Sequence, residues 1–454
     1  MTAAHGSAPD EPPRLLSVEE ARDLVLSAIH GPLPSESVAV SEALGRVLAG
    51  PVTSRTHLPP WDNSAMDGYA VRASDLAEAR DDAPVLLRVI GEVAAGSAPS
   101  TVVEPGTAIR IATGAAVPPG SDAVVPVEQT TPLSADGLPA GRRGRDAAGP
   151  LPGAVLVHGA VRPGDSIRHR GSDLESDRVI LEPGDELTPA AVALTAGAGV
   201  PVVEVHRRPR IAVLATGDEI RPAGTALGDA GIPDANGPGI RALVRDAGAD
   251  PIDLGIAADR LDDVMARLAI GIAEADAIIV SGGVSVGPYD VVRTAFERLG
   301  SVSLWRVAVQ PGKPFAFGVA RRPGSEDGSP PVLLFGLPGN PVSSFVTFEL
   351  FVRPAIRRLQ GRSRLLRPVD RAVLGDPVTK SSGRRAYIRV RAQRHPNGSP
   401  LRDGQGRVQV GLAGGQGSHV MTALAAADAL AVIPEAHDSL AAGAEVDLWW
   451  LDRG

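Results

Sequence analysis

One glycine-rich turn in this chain has the residues needed to bind an anion. It follows the apolar, β-branched run 277–280 and leads through Asp290 into the amphipathic stretch 289–299. The turn residues that could contact a ligand are Ser281, Gly282, Gly283, Ser285 and Gly287. Strand, glycine turn and helix in this order bring backbone N–H groups and the positive end of a helix together. The pattern predicts a phosphate site, with a simple chain reversal as the alternative interpretation.

Two further turns follow predicted strands later in the chain, at Pro311–Pro314 and Gly336–Ser343. The turn at 281–287 has neither the Gly-Lys-Ser/Thr ending of a P-loop nor the glycine spacing of a dinucleotide fingerprint. In an open parallel sheet such turns meet at the carboxyl ends of the strands, where ligands bind. We therefore expect the three turns to share one cavity.

Three carboxylates accompany these predicted strand ends, namely Glu219, Asp259 and Asp290. Carboxylates repel an anionic substrate unless a cation lies between them, and Mg²⁺ held partly by substrate phosphates is the usual solution. The sequence therefore predicts magnesium ligands at these positions. Capping of helix N-termini is the alternative role for each of them.

Lys313 is one of only two lysines, with Lys380, among 45 lysine and arginine residues. A position indifferent to the type of cation would have become arginine in so arginine-rich a chain. A compact ammonium group in a tight turn suits a phosphate or a small tetrahedral anion. Chance retention of lysine is the alternative.

Composition limits the classes of protein that this chain can represent. Its 454 residues exceed one hydrophobic core, and 43% hydrophobic and 22% charged residues are typical of a water-soluble globular protein. The formal charge of −8 argues against a general nucleic-acid-binding protein. The absence of cysteine excludes disulfides and thiolate zinc sites, and it fits a cytoplasmic location. Neither a signal peptide nor a membrane span is predicted, and the nine histidines show no zinc-binding spacing.

The order of the elements predicts a multi-domain α/β protein. Strands and helices alternate from Arg210 onward, as in a doubly wound, Rossmann-like domain. We expect β-rich N-terminal domains before it and a C-terminal β-barrel-like domain after it. The expected division is a disordered segment 1–14, an elongated N-terminal domain of 15–55 plus 150–190, a small β-rich domain 56–149 with a flexible insertion at 131–150, an α/β domain 191–362 and a β domain 363–454. Ser17 and Glu20 form a capping-box pattern for a helix at 17–29, which could pack on the α/β domain.

The segment 57–71 combines prolines, aspartates, Asn63, Ser64 and Gly68 without a periodic pattern, so we expect an irregular, ordered loop. Loops of this type often carry function. Asx turns, in which Asp67 accepts backbone N–H groups, are the alternative. Thr113 with Gly114 could likewise form either a ligand contact or a simple turn.

Seven segments resemble, in the same order, the successive motifs of the molybdopterin molybdenumtransferase family, of the MoeA and gephyrin E-domain type. The resemblance extends over about residues 15–450. The segments are Asp62–Ala70, Thr113–Gly114 with Asp122–Val125, Arg170–Asp173, Ala215–Glu219, Ser281–Gly287, Pro311–Phe315 and Gly336–Ser343.

The resemblance implies a four-domain, homodimeric enzyme that inserts molybdate into adenylylated molybdopterin and releases AMP and molybdenum cofactor with Mg²⁺ present. Partners implied are a molybdopterin adenylyltransferase and recipient molybdoenzymes. The implied catalytic positions are Asp67, Thr113, Asp173, Glu219, Asp259, Asp290 and Lys313. The implied binding positions are Ser281, Gly282, Gly283, Ser285, Gly287, Pro338, Gly339, Asn340, Pro341, Ser343 and Arg384. Asp234 and Asn236 resemble the family's Asp-x-Asn turn, whereas Gln310 replaces a basic residue found in some relatives.

The chemistry of molybdenum agrees with this assignment. Molybdenum favours soft sulfur ligands, and a chain without cysteine needs the dithiolene of a pterin to supply them. We expect the Ser281–Gly287 turn and Asp290 to hold the adenylyl group with its Mg²⁺, while Lys313 and Ser343 place molybdate. A molybdopterin adenylyltransferase and a non-catalytic, gephyrin-like scaffold are the alternative functions.

Overall fold

The computed structural model describes residues 15–134, 137–139, 143–144, 150–283, 291–326 and 329–451. Three predicted site residues, Ser285, Gly287 and Asp290, lie outside these ranges, as does the segment 1–14 for which disorder was predicted. The polypeptide in these ranges forms four regions, described here in chain order.

The first helix, Val18–Ser27, begins with the predicted capping box. The backbone N–H of Glu20 donates to Oγ of Ser17 at 3.0 Å, and the backbone N–H of Ser17 donates to Oε2 of Glu20 at 2.7 Å. Val18, Ala21 and Val25 are buried in the same hydrophobic core as the strands of the α/β domain. The helix therefore packs on that domain although it lies near the start of the chain.

Short strand pairs join the chain before residue 65 to the chain after residue 166. Helix Pro189–Gly197 follows Thr188, whose side chain caps it. Three antiparallel pairs connect Ser35–Ala39 with Val202–His206, Val52–Thr53 with Val179–Leu181, and Asn63–Ser64 with Ile167–Arg168. Leu48, Val52 and Val205 are among the buried residues of the core that results.

A six-stranded sheet forms the small β-rich domain. Its strands, in spatial order, are Ala123–Pro126, Gly68–Val71, Thr107–Ile111, Val85–Val93, Ala154–Val157 and Thr130–Leu133. The last two differ from expectation, because Ala154–Val157 was assigned to the neighbouring domain and residues 131–133 to a flexible insertion. Leu133, Val155 and Val157 are buried, and this short apolar pairing outweighs the glycine- and proline-rich composition around it.

The α/β domain is doubly wound, as predicted. Its sheet has four parallel strands, Asp250–Ala257, Arg210–Thr216, Ala277–Ser281 and Val332–Leu337, followed by the antiparallel strands Pro314–Ala320 and Gly300–Arg306. Alternate residues of one strand enter separate cores, with Val213 on one face and Leu214 on the other. Helices Asn236–Asp246, Leu261–Glu274 and Val291–Leu299 and the helical segment 341–359 cover the two faces.

The helical segment 341–359 is not one uninterrupted α-helix. It consists of α-helix Pro341–Thr347, a π-helical turn Phe348–Val352 and α-helix Arg353–Leu359. Pro354 has no N–H to donate to the preceding turn, and a locally widened helix accommodates the missing hydrogen bond.

The C-terminal region is a closed five-stranded barrel, in agreement with the predicted barrel-like domain. The strands Arg385–Ala392, Val408–Leu412, Val369–Leu374, Glu445–Trp450 and Ala429–Ile433 pair in this order, and the last pairs with the first. Short helix Met421–Ala425 lies beside it. Two short pairings accompany the barrel, Val378–Thr379 with Ser439–Leu440 and Val309–Gln310 with Arg385–Ala386. A further short pair lies in the α/β domain and joins Ile220–Arg221 to Ile232–Pro233. Among the residues described, no helix has the length and apolar character needed to span a membrane.

Candidate functional site

A cavity of about 600 Å³ lies at the carboxyl ends of the parallel strands of the α/β domain. This is the edge at which open α/β sheets bind ligands. Its lining comes from six stretches of the α/β domain and one residue of the C-terminal barrel region: Ala215, Thr216, Gly217, Glu219, Ile220, Ile232, Pro233, Asp234, Ala235, Asn236, Asp259, Ser281, Gly282, Gly283, Pro314, Pro338, Gly339, Asn340, Pro341 and His419.

The turn after strand Ala277–Ser281 requires glycine at two consecutive positions. Gly282 and Gly283 have φ of +99° and +62°, a region that other residues rarely adopt. A Cβ at Gly282 would lie 2.6 Å from the carbonyl oxygen of Thr216, and a Cβ at Gly283 would lie 2.5 Å from Cγ2 of Val292. The two glycines therefore let the backbone turn tightly beside the cavity, as an anion-binding turn requires.

Asn236 connects two loops of the cavity wall through its side-chain amide. Its Nδ2 donates to Oγ of Ser281 at 2.7 Å and to the carbonyl oxygen of Gly339 at 2.6 Å. Ser281 is buried, and the backbone N–H of Gly282 donates to the carbonyl of Leu337 at 3.2 Å. The turn at 281–283 and the loop at 338–340 are thus held in one fixed relation.

Two helices begin at the cavity. Asn236–Asp246 starts beside Asp234, whose Oδ1 accepts the backbone N–H of Gly237 at 2.8 Å and so caps the helix. The helical segment from Pro341 starts at the opposite wall. Helix N-termini carry partial positive charge, and together with the glycine turn they favour an anionic ligand.

Carboxylates make the adjoining wall acidic. Glu219, Asp234 and Asp259 line the cavity, and Oδ1 of Asp218 accepts the backbone N–H of Asp259 at 3.1 Å. Partial desolvation, and then the negative charges of Asp218 and Glu219, raise the pKa of Asp259. The wall therefore holds more negative charge than its surroundings compensate.

This donor set fits Mg²⁺ only as a shared ligand shell. Within the described ranges, no group of three histidine, cysteine, aspartate or glutamate side chains could hold a metal ion by itself. Mg²⁺ needs only one or two carboxylates when substrate phosphates and water complete its octahedron. Glu219 and Asp259 supply carboxylates of this kind on a wall whose charge a cation would neutralise.

Lys313 and Ser343 do not line the cavity. Pro314 and Pro341, their neighbours, form the wall. Ser343 is 4% exposed, and a Cβ at Gly312 would lie 3.6 Å from its carbonyl oxygen, so the lysine turn packs directly on this helix.

Arg384 lies in a turn next to that of Lys313. Strand Val309–Gln310 pairs in parallel with Arg385–Ala386, and Oε1 of Gln310 accepts the backbone N–H of Ser381 at 2.9 Å. Gln310 therefore connects the two turns that carry Lys313 and Arg384.

Asp67, Thr113 and Asp173 lie in the N-terminal half, outside the cavity of the same chain. Oδ1 of Asp67 accepts the backbone N–H of Thr113 at 2.7 Å and its hydroxyl at 2.9 Å. Asp173 lies in a neighbouring loop, where its backbone N–H donates to the carbonyl of Leu58 at 3.0 Å. Asp67 thus accepts a backbone N–H, as the alternative interpretation expected, but from the distant Thr113 and not within a local Asx turn.

The expectation of one shared cavity is therefore met by part of the predicted set. Nine predicted residues line it: Glu219, Asp259, Ser281, Gly282, Gly283, Pro338, Gly339, Asn340 and Pro341. Six predicted residues do not line it: Lys313, Ser343, Arg384, Asp67, Thr113 and Asp173. Local sequence patterns locate strand ends well, but they do not specify which side chain of a turn faces the cavity.

His419 lines the cavity and was not predicted from the sequence. It follows the run Gly414–Ser418, which joins a barrel strand to helix Met421–Ala425. The glycines of that run were a usable signal, since close-packed turns need glycine. Their relation to the cavity depends on how the barrel docks on the α/β domain.

Three family models match the chain in sequence order. They are the MoeA N-terminal region (domain I and II) over residues 16–199, a probable molybdopterin binding domain over 212–358, and the MoeA C-terminal region (domain IV) over 371–451. The cavity described above lies mainly in the second of these regions.

Full-length relatives have the same organisation. The chain is 33% identical over 435 residues to the molybdopterin molybdenumtransferase of Haemophilus influenzae, covering 96% of this chain and 98% of the relative. It is 37% identical over 439 residues to molybdopterin molybdenumtransferase 2 of Mycobacterium tuberculosis, covering 95% and 99%. The crystal structure of the molybdopterin biosynthesis MoeA protein from Pyrococcus horikoshii superposes with a TM-score of 0.74 at 30% identity, covering 97% of this chain and 100% of that one.

Proposed function

The chain belongs to the molybdopterin molybdenumtransferase family of molybdenum cofactor biosynthesis, and we propose that it inserts molybdate into adenylylated molybdopterin and releases AMP. The observation that carries this proposal is the cavity between the Gly282–Gly283 turn and the 338–341 loop. One wall brings a glycine turn and the positive ends of two helix dipoles to the cavity, and the adjoining wall offers carboxylates.

The chain's own residues act by binding and positioning. The Gly282–Gly283 turn and the helix at Asn236 receive the adenylyl phosphate, and the Asn236 bridge to Ser281 and Gly339 keeps their spacing fixed. Preorganised donors of this kind stabilise charge that develops as a phosphoanhydride breaks. No covalent intermediate with the protein is needed, because the dithiolene of the substrate supplies the sulfur ligands that molybdenum prefers.

Mg²⁺ is part of the proposal. Glu219 and Asp259 would hold it together with the substrate phosphates and Asp290, which follows the predicted turn in the sequence. The ion, when bound, neutralises phosphate charge as AMP leaves. Lys313 and Ser343, whose neighbours Pro314 and Pro341 line the cavity, would place molybdate.

We also propose a cytoplasmic homodimer in which a second copy completes the site. The motivation is that Asp67, Thr113 and Asp173 lie outside the cavity of their own chain, although they fall on family site positions. A partner chain offers a route by which they reach a cavity. Transient partners would be a molybdopterin adenylyltransferase, which supplies the substrate, and molybdoenzymes, which receive the product.

Reconstitution of a cofactor-free molybdoenzyme tests the function. The purified protein, adenylylated molybdopterin and low molybdate should activate the recipient enzyme, while omission of the protein should leave it inactive. Activation that needs ATP and unmodified molybdopterin would identify an adenylyltransferase instead. A protein that binds molybdate and nucleotide but does not activate the recipient enzyme would contradict molybdate insertion. A protein that neither binds these ligands nor activates the enzyme would be identified as a scaffold.

A further inference from the structure

We propose that His419 contacts the substrate in the cavity, and that the buried Arg389 is the residue that positions it. The inference rests on the proposed function, since it concerns the same cavity. It assigns a role in that site to a turn of the C-terminal barrel, Gly414–Ser418, and to a guanidinium that does not itself line the cavity.

Arg389 is an unusual buried cation. It lies in barrel strand Arg385–Ala392 and is 1% exposed, and it has no carboxylate partner in the described part of the chain. Its Nη2 donates to two carbonyl oxygens, of Gly415 at 3.2 Å and of Gly417 at 3.1 Å, and its Nε has no hydrogen-bond partner there. Burial lowers the pKa of this guanidinium. Burying a charge without a charged partner costs free energy, so we expect the buried guanidinium to have a specific role.

Arg389 fixes the conformation of the turn Gly414–Ser418. Arg389 and Gln416 hold each other through two backbone contacts, since the N–H of Arg389 donates to Oε1 of Gln416 at 2.9 Å and Nε2 of Gln416 donates to the carbonyl of Arg389 at 3.0 Å. The same Nε2 donates to the carbonyl of Gly414 at 2.9 Å. The side chain of Gln416 thus binds the carbonyl of Gly414, and the guanidinium of Arg389 binds the carbonyls of Gly415 and Gly417.

The turn is also docked on the α/β domain. The backbone N–H of Val342 donates to the carbonyl of Ser418 at 3.2 Å, in the first turn of the helical segment that begins at the cavity. His419 is therefore fixed from both sides, by the barrel through Arg389 and by the α/β domain through Val342.

Gly417 leaves the space that the imidazole occupies. A Cβ at this position would lie 2.8 Å from Cε1 and 3.1 Å from Nδ1 of His419. Gly417 does not have a positive φ, so an alanine here would meet the imidazole without a backbone penalty. The turn is thus shaped to hold the His419 ring in one position.

The charges of the lining residues indicate what the imidazole of His419 contributes to the cavity. The charged side chains that line the cavity are Glu219, Asp234 and Asp259, and none of these donates a hydrogen bond when ionised. An imidazole N–H supplies a side-chain donor for a phosphate or oxyanion oxygen on the barrel side. We infer that His419 orients the anionic part of the substrate.

The experiment measures AMP release from adenylylated molybdopterin with molybdate for wild type, His419→Ala, Arg389→Met, Arg389→Lys and Gly417→Ala. His419→Ala and Arg389→Met should each lower kcat/KM about tenfold, the order expected for a lost hydrogen bond in a site. Arg389→Lys should recover part of the loss, since one ammonium reaches a carbonyl without the guanidinium fork. Arg402→Gln, which removes an exposed pair with Asp370 on the same barrel, is the control and should stay within about twofold.

The double variant Arg389→Met/His419→Ala separates positioning from general damage. If Arg389 acts through His419, the double variant should be no slower than His419→Ala, because the two losses are not additive. Independent, multiplicative losses would overturn the inference, as would wild-type rates for His419→Ala. Gly417→Ala should resemble His419→Ala with unchanged thermal stability, which keeps the test valid if Arg389→Met fails to fold.

A readout without catalysis distinguishes this inference from the proposed function. Hydrogen exchange of peptides covering residues 413–420 should accelerate in Arg389→Met and stay unchanged in Arg402→Gln. Unchanged exchange in Arg389→Met would contradict the positioning role even in an active enzyme. Wild-type protein that releases no AMP would instead refute the proposed function, while the exchange result would still decide whether Arg389 fixes the turn.

Discussion

Nδ2 of Asn236 lies 2.7 Å from Oγ of Ser281. This contact joins the start of helix Asn236–Asp246 to the end of the central strand, Ala277–Ser281. The same nitrogen donates to the carbonyl of Gly339. One amide therefore sets the distance between the two loops that face each other across the cavity. Its removal should affect substrate geometry far more than folding.

Asn236→Ala should lower kcat/KM for AMP release by roughly ten- to a hundredfold, because small displacements of binding loops have effects of this size. The loss of stability should be about 1 kcal/mol, since two partly exposed hydrogen bonds are removed. Steady-state kinetics and urea unfolding measure the two quantities. Asn397→Ala, in an exposed turn of the barrel domain, is the control and should match wild type in activity. A large stability loss with unchanged kinetics would contradict the role of Asn236.

Gly282→Ala should distort the turn after the central strand. The added Cβ would meet the carbonyl of Thr216 at 2.6 Å in a backbone with φ of +99°. We expect a loss of about 2–4 kcal/mol in stability, combining left-handed strain with overpacking. Gly184→Ala has a similar φ of +94° and nothing within 4 Å, so it should show only the strain of about 1–2 kcal/mol. Equal losses in the two variants would contradict a close approach at Gly282.

Asp259 gives a prediction about pH and Mg²⁺. Its pKa is raised in the folded state, so its contribution to stability is present below the ordinary aspartate pKa of about 3.9 and is lost as pH rises through the raised value. At neutral pH without Mg²⁺ the ionised group therefore destabilises the fold, and Asp259→Asn should melt higher than wild type. Mg²⁺ should raise the melting temperature of wild type at neutral pH and have a smaller effect on Asp259→Asn. Equal responses to Mg²⁺ would remove Asp259 from the ion site.

The separation of Asp67 from the cavity gives a test by mixing two variants of reduced activity. Asp67→Asn and Asn236→Ala alter different domains of one chain. If a second copy completes the site, refolding the two variants together should restore up to about a quarter of wild-type activity, the share of mixed sites with both residues intact. Activity no higher than the average of the separate variants would contradict a shared site.

The parts of the fold that depend on local pattern were predictable from the sequence. Ser17 and Glu20 identify the first helix because a capping box satisfies two N–H groups locally. Ala277–Val280 with Gly282 and Gly283 identifies the central strand and its turn, because β-branched residues and positive φ have specific residue requirements. The cavity followed from the rule that parallel strands end at one edge.

The features that were missed depend on contacts between distant segments. His419 reaches the cavity only because the barrel docks on the helical segment at Val342. Strand Thr130–Leu133 forms because Ala154–Val157 lies beside it, in a stretch whose composition is that of a loop. Pro314 of the predicted turn lines the cavity but Lys313 does not, and this turn packs against Thr347 through Gly312.

The most direct measurement of the central claim is AMP release by the purified wild-type protein in two parallel reactions. One contains adenylylated molybdopterin, molybdate and Mg²⁺, and the other contains unmodified molybdopterin and ATP. We expect stoichiometric AMP and molybdenum cofactor in the first reaction and no consumption of ATP in the second. ATP consumption in the second reaction, or no AMP in the first, would contradict the assignment of the cavity to molybdenum insertion.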